Sequence, residues 1–146
     1  MRVFLDANML ISATHAGSLA RRLVRWIVHE AEGITNDYAL DEARKNLAKR
    51  YPERLADLDA LAGSLMIINH TVPAPDVDLR AKDVPILIGA IASKATHLLT
   101  RDQRDFGPFF GNTIQGVRIV SPDQFIAELK ASSPRWSQLG ESQKPR

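Results

Sequence analysis

Two acidic residues in this sequence stand directly behind short apolar runs. Val3-Phe4-Leu5 ends in Asp6, and His97-Leu98-Leu99-Thr100 is followed by Arg101-Asp102. A carboxylate at the end of a buried strand is costly to desolvate without a partner. Two of them on neighbouring strands repel unless a cation lies between, and hard divalent ions such as Mg²⁺ and Mn²⁺ take carboxylate oxygen and water as ligands. Asp83 precedes an apolar helical stretch and is a third candidate ligand, although an Asp at that position also serves as an N-cap. Glu42, beside the Ala43 and Leu47 stripe of a helix, is a fourth, with Asp41 next to it; Asp105 reads as a loop acid. Such a cluster suits hydrolysis of a phosphodiester. That bond is a poor electrophile whose transition state gathers negative charge, and a metal ion offsets the charge and acidifies bound water.

Other chemistries are excluded or disfavoured. The sequence has no cysteine, so thiolate metal sites, iron–sulfur clusters, disulfide scaffolds and cysteine nucleophiles are out, and a reducing, cytoplasmic setting is consistent with that. The four histidines, His15, His29, His70 and His97, are scattered, which disfavours a two-histidine ribonuclease mechanism. His97 opens a strand and reads as structural; His29 suits the negative end of a helix. Nineteen Lys+Arg against seventeen Asp+Glu leave a net charge of +2, and Arg135, Lys144, Arg146 and Glu141 near the C-terminus account for it. Attraction to nucleic acid must therefore come from local cations. Arg101 and Arg104 flank Asp102, Lys82 precedes Asp83, and Arg44, Lys45 and Lys49 follow Glu42.

The elements that must position these groups alternate along the 146 residues, one domain's length. Strands are expected at 3–5, 65–68, 97–100 and 117–120. Helices are expected over 17–31, capped by Ser18 and stopped by Gly33, over 37–50, from Pro52 to about Gly63, from Asp83 onward, and from Ser121-Pro122 through Leu129. A loop carrying Pro73 and Pro75 precedes Asp83. Short apolar strands alternating with helices imply an α/β fold, a parallel sheet covered on both faces, whose ligands bind beyond the carboxyl ends of the strands. Residues 132–146, rich in Ser, Pro, Gln and Lys, read as a mobile tail behind a domain of residues 1–131. No apolar run reaches the length of a membrane span. The two long helices at 17–31 and 37–50 carry apolar residues on more than one face, among them Leu19, Trp26, Tyr38 and Tyr51, from which a homodimer is expected.

Four stretches, VFLDANMLISA, DYALDEARKNL, KDVPILIGAIASKATHLLTRDQRDFG and GVRIVSPDQFIAEL, resemble the PIN-domain nucleases, in particular the VapC-like toxins of prokaryotic toxin–antitoxin systems. The resemblance spans about residues 2–131. It implies a PIN-like three-layer α/β/α sandwich around a central parallel sheet of four to five strands, and Mg²⁺- or Mn²⁺-dependent RNA hydrolysis with one or two ions. It places the catalytic and metal-binding acids at Asp6, Glu42, Asp83 and Asp102, with Asp105 matching a frequent fifth acid. Asn8 and Thr100 match supporting polar residues. An antitoxin partner, a dimer and an RNA substrate are implied, with Arg101, Arg104, Lys45 and Lys82 as candidates to touch it. Two other readings stay open: a PIN-like domain that binds RNA without cutting it, and a haloacid-dehalogenase-like phosphatase. The latter also follows its first strand with Asp but wants a second Asp where Asn8 stands.

Overall fold

The computed structural model describes residues 1–132. Six strands form one sheet in the order β3-β2-β1-β4-β6-β5. They are β1 Arg2–Leu5, β2 Glu32–Thr35, β3 Met66–Ile67, β4 His97–Leu99, β5 Thr113–Ile114 and β6 Val117–Val120. The five from β3 to β6 pair in parallel, and β5 adds an antiparallel edge to β6. Helices α1 Ala7–Ala13, α2 Leu19–Glu30, α3 Asp37–Arg50, α4 Leu55–Ala62, α5 Val84–Ala92 and α6 Pro122–Ser132 connect and cover it. This is the α/β, PIN-like arrangement expected, with a parallel sheet at its centre and one extra short strand at its rim.

Local chemistry explains most boundaries. Ser18 accepts a hydrogen bond from the Arg21 N–H and Asn36 from the Ala39 N–H, so each side chain satisfies one orphan donor at a helix start. The central strands bury both faces: Val3, Phe4, Leu5, Leu98, Leu99, Ile119 and Val120 are all inaccessible. In register, Phe4 faces α5, where a Cβ on Gly89 would lie 2.9 Å from Phe4 Cζ and 2.5 Å from Asn36 Nδ2. Glycine at 89 therefore lets α5 lie close on the sheet. On the other face, Phe125 of α6 meets Trp26 of α2 and His97 of β4 edge-to-face, at 6.5 and 5.3 Å between ring centroids. His97 is thus held in the structural role expected, and that burial pushes its pKa below the ordinary imidazole value.

Three elements differ from the sequence reading. Gly33, expected to stop a helix, lies inside β2; a Cβ there would come within 2.7 Å of Leu65 Cδ2, so the glycine makes room for packing within a strand. Residues 7–13 form α1. A two-residue turn with positive φ at Gln115 and Gly116 folds β5 back on β6. The expected apolar patch on the two long helices also shrinks. Leu23, Val24, Trp26, Ile27, Leu40 and Leu47 are buried within the chain, leaving Leu19, Tyr38 and Tyr51 exposed. The expected tail lies outside the described residues apart from Ser132, which ends α6.

Candidate metal centre

In a parallel sheet with crossover helices, each helix starts at the edge where its preceding strand ends. That rule brings Asp6 (after β1), the 100–105 loop (after β4), the first turns of α3 and the start of α5 to one edge. Strands β1 and β4 are neighbours, and the Asp6 N–H donates to the Leu99 carbonyl at 3.2 Å, which ties the two strand ends together.

Asp6, Asn8 and Thr100 form one hydrogen-bonded unit. Asp6 Oδ1 accepts from the Ala7 N–H at 2.6 Å; Oδ2 accepts from the Thr100 hydroxyl at 2.7 Å and from Asn8 Nδ2 at 3.3 Å. The Thr100 oxygen in turn accepts from the Asp102 N–H at 3.1 Å, and Asn8 Oδ1 accepts from the Arg101 N–H at 2.9 Å. Asn8 and Thr100 therefore position Asp6 and Asp102 relative to each other. Burial pushes the Asp6 carboxyl up to about 6; the Thr100 and Ala7 hydrogen bonds oppose this, and the charges of Glu42 and Asp102 add to it.

Asp83, Asp102 and Asp105 each bring a carboxylate oxygen within 4.8 Å of the other two. Asp83 occupies the N-cap position of α5 but adopts helical backbone angles and makes no capping hydrogen bond, so the simple capping reading fails. Its carboxylate turns toward the cluster, and Oδ2 is buried and accepts no hydrogen bond. Burial, reinforced by a hydrogen bond to Asp105 and by the charges of Asp105 and Asp102, pushes Asp83 up to about 7 against the pull of Lys82. Asp105 goes the other way. Burial disfavours its charge, but the hydrogen bonds from Asp83 and Lys82, and the Arg80 charge, hold it below the ordinary carboxylate value.

Asp105, read from sequence as a loop acid, thus stands in the tightest group of carboxylates, brought there because Asp102 Oδ1 accepts its N–H at 3.0 Å. Asp6 and Glu42 stand outside that group. Glu42 is exposed on α3, with its charge felt at Asp6 and at Tyr38. Its neighbour Asp41 lies 3.9 Å from Arg44, which also contacts Asp59 at 3.1 Å. Arg104 and Lys45 are exposed, and Arg101 reaches back to the Ser12 hydroxyl beside a groove of about 640 Å³ between the starts of α2 and α6. Lys82 keeps an exposed side chain but brings its Nζ onto the acids, 3.4 Å from Asp105 and 3.7 Å from Asp83. Tyr38 was not picked out as a site residue. Its hydroxyl donates to the Lys82 carbonyl at 2.7 Å and joins α3 to the α5 start; its place four residues before Glu42, on one helix face, is the signal that could have found it.

The donor set fits a hard cation. It is all oxygen, partly buried, mutually repulsive, and includes an orphaned carboxylate oxygen on Asp83. Among solved structures, the fold is similar to that of a chain in the crystal structure of VapBC2 from Rickettsia felis bound to a DNA fragment from their promoter. The TM-score is 0.60 at 16% identity, covering 83% of this chain and 98% of that one. No family model and no curated protein matches the sequence. At that identity the likeness concerns the fold.

Proposed function

We propose that this chain is a metal-dependent endoribonuclease that hydrolyses RNA phosphodiester bonds, and that it acts as the VapC-like toxin of a type II toxin–antitoxin module. The observation that carries the reading is Asp83. A carboxylate that neither caps its helix nor finds a hydrogen-bond donor for Oδ2, turned toward two further carboxylates, is costly to maintain unless a cation uses it. The resemblance in sequence and the fold similarity support the same conclusion.

In this reading Asp83, Asp102 and Asp105, together with Asp6, would hold an Mg²⁺ or Mn²⁺ ion. Glu42 would hold a second ion, directly or through water, or orient the attacking water. The bound metal supplies charge neutralisation at the phosphate and acidifies water. The chain's own residues do the rest. Thr100 and Asn8 fix the orientation of Asp6 and Asp102, and Arg101 and Arg104 at the rim, with Lys45, offer cations to the RNA backbone. The phosphatase alternative needs a second acid at position 8. Asn8 there is engaged on both ends of its amide, with Asp6 and Thr100 on one side and Arg101 on the other.

The catalytic unit is residues 1–131, working as a homodimer in the cytoplasm and held in check by an antitoxin encoded beside it. Among the described residues no helix is long and apolar enough to cross a membrane. The test is cleavage of single-stranded RNA by the purified chain in Mn²⁺ or Mg²⁺ against EDTA. We expect cutting only with metal, and at least about a hundredfold loss in Asp102→Asn, since a ligand charge is removed while volume is kept. Equal cutting in EDTA, or by the variant, refutes the reading. Hydrolysis of a phosphate monoester alone would point to the phosphatase, and RNA binding without cleavage to the non-catalytic domain.

A further inference from the structure

Lys82 is the one rim cation among the candidates that lies on the acids themselves. Its Nζ contacts both members of the Asp83–Asp105 pair, at 3.7 and 3.4 Å. Its backbone is anchored, because the Tyr38 hydroxyl donates to its carbonyl and the Asp83 N–H closes a turn onto the Arg80 carbonyl at 2.9 Å. Its side chain is not; it is 52% exposed. Both contacts are longer than the roughly 2.7–2.9 Å of a strong charge-assisted hydrogen bond. A fixed root, a solvated stem and loose contacts describe a cation that is held by charge and can leave at little cost.

We infer that Lys82 is a resident stand-in for the divalent ion: its ammonium neutralises the Asp83–Asp105 pair in the metal-free protein and must vacate it when metal binds. The inference rests on the metal centre proposed above and concerns how tightly that centre binds. Two carboxylates this close to a third repel one another, and a cation between them keeps the α5 start and the 102–105 turn together. An incoming ion needs the same oxygens. If the ammonium leaves, its pairing with the acids is forfeited; if it stays, it repels the ion at a few ångströms. Both routes weaken metal binding, so the sign of the effect does not depend on which is taken. Arg80, about half exposed, meets Asp105 at 3.8 Å, whereas Lys82 meets both members of the pair.

The experiment compares the full chain with Lys82→Met, which keeps the aliphatic stem, and Lys82→Arg, which keeps the charge. Mn²⁺ affinity is measured by calorimetry and by the spin resonance of free Mn²⁺ at pH 8, and thermal melting in EDTA at the same pH. Lys82→Met is expected to bind Mn²⁺ about tenfold more tightly, a difference of about 1.4 kcal/mol. It is also expected to melt several degrees lower in EDTA, with the deficit closing in saturating Mn²⁺. Lys82→Arg should stay within about threefold of the parent. If the parent binds Mn²⁺ and Lys82→Met binds it equally or more weakly, the stand-in role is overturned and the metal centre stands. An unchanged melt of Lys82→Met in EDTA overturns the neutralising role. If no form binds Mn²⁺, the metal centre itself is refuted and the inference falls with it.

Discussion

Replacing Asp83 by Asn should stabilise the metal-free protein above neutral pH, the opposite of what loss of a buried, ion-paired side chain usually does. The sign follows from the raised carboxyl. An acid whose folded pKa is above its unfolded value keeps its proton in the fold after the unfolded chain has lost it. Stability therefore falls as pH rises from about 4 to about 7 and is flat beyond. A carboxyl moved from 3.8 to about 7 costs the ionised fold at most about 4 kcal/mol. Screening by water at the open rim reduces this to about 2 kcal/mol. Asn keeps the volume, carries no charge, and offers an amide donor to the neighbouring carboxylates. For a chain of this length, 2 kcal/mol corresponds to roughly 4–8 °C in Tm. Thermal denaturation in EDTA should place Asp83→Asn above the parent by that amount at pH 8, with the gap closing toward pH 4. Saturating Mn²⁺ should reverse the order, because the ion stabilises only the form that binds it. An Asp83→Asn protein that melts below the parent at pH 8 in EDTA would refute the reasoning, since it would mean that Asp83 stabilises the metal-free fold as a partner of Lys82 rather than burdening it.

Thr100→Val removes the hydroxyl that donates to Asp6 and accepts from the Asp102 N–H, while keeping the buried shape. It should cost about 1–3 kcal/mol in denaturant unfolding and about ten- to a hundredfold in Mn²⁺ affinity; parent-like values in both would remove Thr100 from the positioning of the site. Light scattering at micromolar concentration should give a mass near twice 16.2 kDa, with the exposed Leu19, Tyr38, Tyr51, Met66 and Ile67 as the apolar groups to be covered; a mass near 16.2 kDa would refute the dimer.

The elements that sequence made legible are those with a cap and an apolar stripe together. Helices α2, α3 and α6 each begin at a Ser or Asn immediately before the stripe. The elements it hid are those whose signal belongs to a neighbour. Gly33 looks like a helix stop in one dimension and becomes a strand residue only because the Leu65 side chain needs the space its Cβ would fill. The run Leu65-Met66-Ile67-Ile68 was legible as a strand, but not its place: as β3 it lies at the sheet edge and pairs on one side only, and Met66 and Ile67 remain about two-fifths exposed. Helix α1, seven residues long, starts at Asp6, whose carboxylate was read for its chemistry and also accepts the Ala7 N–H as an N-cap.

Asp6 and Asp102 could be read as site residues because a strand end is a local feature, and in a parallel sheet every strand end faces the same way. Asp83 could be read only as ambiguous, since capping and ligation want the same residue type at the same place. The choice between them depends on backbone angles at one residue, and with helical φ and ψ the Asp83 carboxylate makes no capping hydrogen bond. Asp105, a loop acid by its surroundings and a fifth site acid by the resemblance, and Lys82, expected as a rim cation, were ambiguous for a related reason. Loop acids and rim lysines are solvated in most proteins. Nothing in the order R-A-K-D or D-Q-R-D reveals that the turn closed by Asp102 on the Asp105 N–H carries that carboxylate back to meet Asp83, with the Lys82 ammonium drawn onto both. What decides these two positions is the field of the assembled cluster. Three acids and two cations converge there from two separate segments, residues 80–83 and 102–105.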